Sequence, residues 1–596
     1  MPTTGRRSTR RGTPTATATA AAARGSVAAA CHVMNLVHAA TSVLSRVFTL
    51  GCLAPRVQVF SSRPRQLLPS PFVSMTVSAT VKETAASPPE DTSRQAGRGG
   101  LAVASAKLYF LVTGLVQQGA LPRLLGLDGY GALASALSLA SIAYNPIVST
   151  GIQGVSRAVA AAPAAERPAV QRQTFAVHAG FAVVLAALAY ALSPFAATAV
   201  GAPHLVGSLR ILTGVLLAYG LYAPLVGALN GQRKLVSQAL FDIGAATVRT
   251  LCIIGGAALV ARSGGTSTHA AEGACFGSLL AAAIVLVVAL FVVGVGRSGQ
   301  TASRVGRHVA FIAPLLLAQT LLNLLLQADL TLLRRFAGEA AAAAGAAPTA
   351  ADTFVGAYRA TQMFSFLPYQ LLIAITFVLF PMLASARHDP DRTRVATYLQ
   401  NGLRVALIVA GAMVSVTAGL PRQLLHLVIG ADAARLGASA LGILSLGFGA
   451  FAIFGLLTAV LNGLGHERAS LTITAIAFGL VVLGCFGWVR GTPLSEALLV
   501  RTAICTSLGI LVATVLAGAV TWRVVGSLVA PRVLARVGLA LGIALAVAHV
   551  LPDGRPLWAL PEAGLVVLAY FATLLVTREL GKDDLRLAER VLRRRA

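Results

Sequence analysis

The chain has 596 residues, of which 56% are hydrophobic and only 12% charged, with a mean hydropathy of +0.76 and a formal net charge of +27. That leaves too little polar surface to cover a water-soluble globule of this size, so the chain is expected in a bilayer. The positive charge does not point to nucleic acid, because the Lys and Arg residues sit in tails and in short loops between apolar runs rather than on one basic face.

Residues 1–100 are rich in Arg, Ser, Thr, Ala and Pro, and the first acidic residue is Glu83. Such a segment buries no core and reads as a disordered basic tail or an over-extended start, with Met75 as an alternative beginning. An Arg-rich, acid-poor organelle transit peptide is the other reading. Translation from Met75 is expected to leave membrane insertion intact.

From Leu101 onward, apolar runs of about 20 residues, enough to cross roughly 30 Å of hydrocarbon, follow one another with short breaks. Fourteen are predicted, over 101–122, 131–155, 174–200, 206–229, 236–261, 270–295, 308–333, 353–384, 396–419, 436–462, 469–489, 495–521, 533–551 and 557–577. With the N-terminus in the cytoplasm, the six cytoplasmic loops carry fifteen Lys and Arg and the seven outer loops eight. This is the positive-inside bias and places both termini in the cytoplasm. The longest loop is expected at 334–352, an Ala/Gly tract, and residues 581–596 suit a charged surface helix. Cys252, Cys275, Cys485 and Cys505 lie inside apolar runs without metal-ligand spacing and read as packing residues.

One phrase occurs twice. Leu229-Asn230-Gly231, closing a long apolar helix before a basic turn, is answered by Leu461-Asn462-Gly463, and the asparagines stand 232 residues apart. Gly129-Tyr130-Gly131 is likewise answered by Gly356-Ala357-Tyr358, with the tyrosines 228 apart. The repeat predicts two six-helix lobes, residues 101–295 and 308–522, followed by two further helices within 529–577. The fold class is therefore an all-α polytopic membrane protein, with a substrate site expected between the repeats.

Charges inside spans are costly, about 2.5–3.5 kcal/mol at mid-helix, so each must line a cavity, pair or snorkel. Arg249 and Arg404 lie deep in their spans. Lys107, Arg210, Arg359 and Arg501 lie nearer the ends, where they either snorkel or reach a cavity. Asp242 stands two turns before Arg249 on the same face, which permits either a shared ligand or a structural pairing. Asp329 is the coupling-cation candidate, with simple solvation as its alternative. Polar stripes add Gln319, Asn323 and Gln327 in the seventh span, and Ser138, Ser141, Asn145 and Ser149 in the second. Lys107 and Gln118 share a face of the first. Such stripes either line a cavity or join helices by hydrogen bonds.

Several segments resemble polysaccharide transporters of the multidrug/oligosaccharidyl-lipid/polysaccharide flippase superfamily. These are Lys107-Leu-Tyr-Phe-Leu-Val-Thr-Gly, Leu124-Leu-Gly-Leu-Asp-Gly-Tyr-Gly131, Ser149-Thr-Gly-Ile-Gln-Gly-Val-Ser-Arg157, Phe377-Val-Leu-Phe-Pro-Met-Leu383 and Leu424-Leu-His-Leu-Val-Ile-Gly430. The resemblance spans about residues 101–590. It implies alternating access around a central cavity and transfer of a polyprenyl-pyrophosphate-linked oligosaccharide, a cell-surface polysaccharide or lipopolysaccharide precursor, from the inner to the outer leaflet. It further implies a bacterial cytoplasmic membrane, or an organelle membrane if residues 1–74 are a transit peptide, and work alongside a polysaccharide polymerase or glycosyltransferases. The first span lacks the denser arginine pattern of the lipid II flippase branch, which puts a peptidoglycan-precursor role in doubt.

No phosphate-binding loop or His-Glu-x-x-His site is present in the sequence, so neither catalysis nor a cofactor or metal is expected. Two rivals stay open. An ion-coupled exporter of drugs or organic cations would line its cavity with Asp and Glu, and a polytopic glycosyltransferase or polymer ligase would carry a sizeable outer catalytic loop.

Overall fold

The computed structural model describes residues 90–299, 305–370, 372, 392–552 and 558–581. Most of the basic tail, the Phe377–Leu383 motif, the second half of the eighth predicted span and nearly all of the predicted charged helix 581–596 lie outside these residues. Among the described residues there is no strand, and twelve helices are long and apolar enough to cross a membrane. One of the twelve covers residues Ser105–Ala160 and carries two predicted spans. The eighth predicted span begins in a 16-residue helix that runs up to undescribed residues. Side chains such as Phe195, Leu251, Phe291 and Val576 are largely exposed on the outer faces. In water that surface would be prohibitive, whereas lipid accepts it. The chain is an integral membrane protein.

The helices are α1 (Glu90–Ala160), α2 (Arg167–Ala199), α3 (Val206–Gly231), α4 (Leu235–Arg262), α5 (Ser267–Val292), α6 (Val305–Ala343) and α7 (Ala350–Ser365). They are followed by α8 (Arg392–Gly419), the short α9 (Pro421–Val428), α10 (Ala431–Gly463), α11 (Glu467–Gly484), α12 (Glu496–Val525), α13 (Pro531–Val550) and α14 (Ala559–Val576). α1 changes direction at Gly126, whose φ of 72° an L side chain adopts only at a cost. The loop expected at 334–352 is mostly helix, since α6 continues to Ala343. Alanine is the strongest helix former, and Arg335 meets Glu339 one turn on at 3.1 Å.

The repeated phrase folds into the same turn twice. At the end of α3 the Lys234 N–H donates to the Leu229 carbonyl at 2.9 Å and the Arg233 N–H to Asn230 at 2.9 Å. After α10 the His466 N–H donates to Leu461 at 2.8 Å and the Gly465 N–H to Asn462 at 3.1 Å. Both turns need a left-handed residue, filled by Gly465 (φ 86°) in one and by Arg233 (φ 58°) in the other. Each of these helices starts at the end of the bundle that holds Asp352. His204, just before α3, contacts Asp352, and Gly437 near the start of α10 abuts Ala357 and Thr361 of α7. Asn230 and Asn462 therefore share the opposite end.

The glycine of each opening phrase meets the other helix. A Cβ on Gly131 would overlap the Asp352 carbonyl, and a Cβ on Gly356 would overlap that of Leu127. α1 and α7 thus cross at backbone contact, the close approach that small residues permit in a medium offering no hydrophobic drive. At this end Arg334 and Asp352, each 1% exposed, pair at 2.9 Å, and His204 reaches the other Asp352 oxygen at 2.9 Å. Toward the opposite end, His178 of α2 and His308 of α6 touch at 3.2 Å through their Nε2 atoms.

Buried apolar side chains gather in separate clusters. One runs through α1–α5 (Leu133, Leu205, Ile253), another through α6–α12 (Leu333, Phe448, Ala513), and a third joins α8 to α13 and α14 (Val537, Val566, Tyr570). The third is pinned by Glu579, only 4% exposed, which accepts from Arg404 at 2.7 Å and from Arg536 at 3.1 Å.

Two outcomes are expected. Gly131→Ala pushes a methyl into backbone and lowers thermal stability by at least the roughly 1–3 kcal/mol typical of overpacking. Gly244→Ala, which meets open space inside α4, instead raises it by about 0.5–1 kcal/mol in the same melting assay. Arg233→Gly relieves a left-handed non-glycine residue and raises the melting temperature, by about 1 kcal/mol in stability. The reverse change, Gly465→Arg, lowers it.

Candidate functional site

α1, α4, α6 and α7 enclose a cavity of about 310 Å³. The two segments of α1 contribute Gln117, Gln118, Tyr130 and Asn145, α4 contributes Arg249 and Thr250, α6 contributes Asn323 and Gln327, and α7 contributes Arg359 and Gln362. The kink at Gly126 places both segments of α1 in one wall. Each helix turns an apolar stripe outward and a polar one inward, so residues four apart on α6 arrive together.

Six residues singled out by sequence therefore meet here: Gln118, Asn145, Arg249, Asn323, Gln327 and Arg359. Asn145 donates to Asn323 at 2.8 Å, which joins the polar stripes of the second and seventh predicted spans. Tyr130 donates to Gln118 at 3.2 Å. Arg359 donates to Gln362 at 2.9 Å, and Gln362 passes the contact on by donating to Asp329 at 2.9 Å. Arg359 is half-buried and does not snorkel to an interface.

Arg249 is half-buried and makes no hydrogen bond or ion pair with the described residues. The titratable groups that feel its charge are the phenols of Tyr219 and Tyr144, with no carboxylate among them. Asp242 is engaged elsewhere, held by Lys107 at 2.8 Å. The structural pairing of Asp242 with Arg249 is thus replaced by a contact between the first and fifth predicted spans, with Lys107 52% exposed.

Five candidates lie outside the cavity wall. Lys107 and Asp242 neutralise each other as described. Gln319 stands one turn before Asn323, and its carbonyl accepts from Asn323 at 2.9 Å. Arg404 fastens α8 to the C-terminal helices through Glu579, because a buried guanidinium takes the nearest carboxylate and backbone acceptor. Asp329 is not solvated: it is 1% exposed and accepts from the Leu330 N–H at 2.7 Å, Tyr358 at 3.0 Å and Gln362 at 2.9 Å. With three donors turned toward it, the carboxylate serves as an anchor behind the cavity wall, and a cation would have to displace those bonds.

Sequence reading missed Gln362, which lies one turn after Arg359, and Gln117, beside Gln118. A stripe search that included polar neighbours of the candidate arginines and glutamines would have found both. Among the described residues no group of three or more His, Cys, Asp or Glu could hold a metal ion. Among the described residues the cavity wall contains two guanidinium groups, several amides and no Asp or Glu. Such a site suits an anion with hydroxyl or amide groups attached.

Comparison with known proteins bears on the family and the fold. Residues 96–387 match the family model described as polysaccharide biosynthesis protein. That match covers 292 of the 596 residues. Its fold is similar to that of a solved structure titled "Lipid II flippase MurJ, inward closed conformation", with a TM-score of 0.66 at 12% identity, over 80% of this chain and 99% of that one. A multidrug resistance MATE family transporter of the MOP superfamily in its inward-facing conformation gives a TM-score of 0.56 at 15% identity, over 72% of this chain and 98% of that one. An outward-facing conformation of such a transporter gives 0.51 at 15% identity, over 72% and 96%. No curated protein matches the sequence.

Gln362→Leu is expected to leave Asp329 one donor short and Arg359 without its acceptor, which costs about 1–3 kcal/mol of stability. A thermal-melting comparison with Gln118→Leu, whose partner Tyr130 faces the cavity and finds water there, should show the larger loss at Gln362.

Proposed function

We propose that this chain is a flippase that moves a lipid-linked oligosaccharide across the membrane by alternating access, its pyrophosphate held by Arg249 and Arg359. The observation that carries this reading is the sign of the cavity: among the described residues, two arginines and no carboxylate line it. A pyrophosphate cannot enter hydrocarbon uncompensated, and guanidinium groups supply charge-assisted bonds in a planar fork. The amides of Gln117, Gln118, Asn145, Asn323 and Gln327 offer both donors and acceptors to sugar hydroxyls. The match to the polysaccharide biosynthesis family model and the likeness to a lipid II flippase support the same class of cargo.

In this proposal the two lobes rock about the α1–α7 crossing, with the Arg334–Asp352–His204 cluster and the His178–His308 contact at opposite ends of the seam. The Asp352 end faces outward and the His308 end faces the cytoplasm, in keeping with the loop arginines. The membrane is a bacterial cytoplasmic membrane, and the protein works with a polymerase or glycosyltransferases that make and consume its cargo. No cofactor takes part. Asp329 orients Gln362 and Tyr358 rather than ligating a coupling cation. The MATE likeness keeps an organic-cation exporter in view, but such a cargo would meet two uncompensated positive charges.

Arg249→Ala should lower transport of a lipid-linked oligosaccharide in proteoliposomes by about 10- to 100-fold, the range for losing hydrogen bonds to a charged group. Arg249→Lys should recover part of it, because an ammonium keeps the charge and loses the fork. Since Asp242 is held by Lys107, the double variant Asp242→Asn, Arg249→Gln should be no better than Arg249→Gln alone. Full transport by that double variant, or efflux of ethidium by the parent, would overturn the assignment.

A further inference from the structure

A second cavity, of about 210 Å³, opens where the end of α1 meets the starts of α2 and α6. Among the described residues its polar wall consists of Arg157 from α1, Gln173 and Thr174 from α2, and Arg307 and His308 from α6, and contains no Asp or Glu. Arg157 stacks its guanidinium on Phe311 at 4.0 Å, which uses the face of the group and leaves its edge donors available. The buried carbonyl end of the Gln173 amide has no hydrogen-bond partner. Rotating that amide by 180° presents N–H donors to the same space. His308 is held in place by His178, and Gly154 lets α1 approach α6 so closely that a Cβ there would press on Ile312.

We infer that this cavity is a second anion site, separate from the central one, that binds a phosphate ester at the level of the lipid headgroups. Arg157 lies three residues from the end of α1 and Arg307 two from the start of α6, so both stand within about 5 Å of the helix ends. At that depth a bilayer presents phosphates. The volume suits a single headgroup and not a sugar chain, being below the roughly 300–1,000 Å³ of ordinary ligand pockets. Walls from α1 and α2 on one side and α6 on the other make the bound anion a bridge between the predicted lobes. The anion has two sources: the phosphodiester of an acidic membrane lipid, or the pyrophosphate of the carrier on its way to the central cavity. Only the second rests on the function proposed above.

The test is arginine modification by phenylglyoxal, read peptide by peptide by mass spectrometry, on the full chain in phosphatidylcholine nanodiscs. Once inorganic pyrophosphate exceeds its Kd about tenfold, modification of Arg157 and Arg307 should slow about tenfold while that of exposed Arg172 does not change. Protection that instead appears without pyrophosphate in phosphatidylglycerol nanodiscs identifies the membrane lipid as the occupant. Gln173→Glu, which places a carboxylate in the wall, should abolish either form of protection. Absence of protection in both arms, or equal protection of Arg172 and Arg297, means bulk screening and overturns the site. Arg249→Ala should leave the protection intact, so a failure of the central-cavity assignment is distinguishable from a failure of this one.

Discussion

The crossing of α1 and α7 at Gly131 and Gly356 is the contact on which the rest of the arrangement depends. Two backbones meet there without a side chain between them. In lipid, apolar surface gains little from helix association, so packing distance and polar contacts decide which helices stay together. The same crossing sets the direction of the neighbouring side chains. Tyr130, next to Gly131, faces the cavity, as does Arg359 three residues after Gly356, while Tyr358 turns to Asp329. A bulkier residue at either glycine would move both arginine-bearing and tyrosine-bearing faces at once.

The positive character of the central cavity follows from how the acidic side chains are distributed. Asp242 is held by Lys107, Asp352 by Arg334 and His204, and Glu579 by Arg404 and Arg536. Asp329 lies behind the cavity wall, where it accepts from Tyr358 and from the wall residue Gln362. Each of these acids is thereby committed to joining helices; among the described residues Arg249 is left without a carboxylate beside it, and Arg359 reaches Asp329 only through Gln362. A buried ion pair contributes little net stability, but removing one partner is costly, so these pairings resist rearrangement. Structural acids at the periphery and free bases at the centre make a site that attracts anionic cargo.

The two cavities lie on a common seam between the predicted lobes. The lower one carries arginines at headgroup depth, and the upper one adds amides suited to sugar hydroxyls. A lipid headgroup passing from one to the other would exchange one set of guanidinium donors for another without facing hydrocarbon alone. The C-terminal pair α13 and α14 stands outside this path, attached to α8 through Glu579 and through Tyr570, which donates to the Ile408 carbonyl at 3.1 Å.

Much of this was legible in the chain. Hydropathy alone determines a polytopic helical membrane protein, because only helices satisfy their own backbone in lipid at this span length. The doubled Leu-Asn-Gly phrase announced a turn made twice, and the stripes of Asn145, Asn323 and Gln327 announced a polar interior, since helical periodicity is a local property. What local pattern cannot convey is partner choice. Asp242 and Arg249 share a helix face, yet Lys107, from 135 residues away, takes the carboxylate. Arg404 is as deep in its span as Arg249, yet it meets Glu579, 175 residues on. Charge in a low-dielectric interior pairs with whatever the fold brings within about 3 Å. The sequence by itself therefore determined which residues had to be paired or wetted, and only the tertiary structure decided which of them were left to face the cavity.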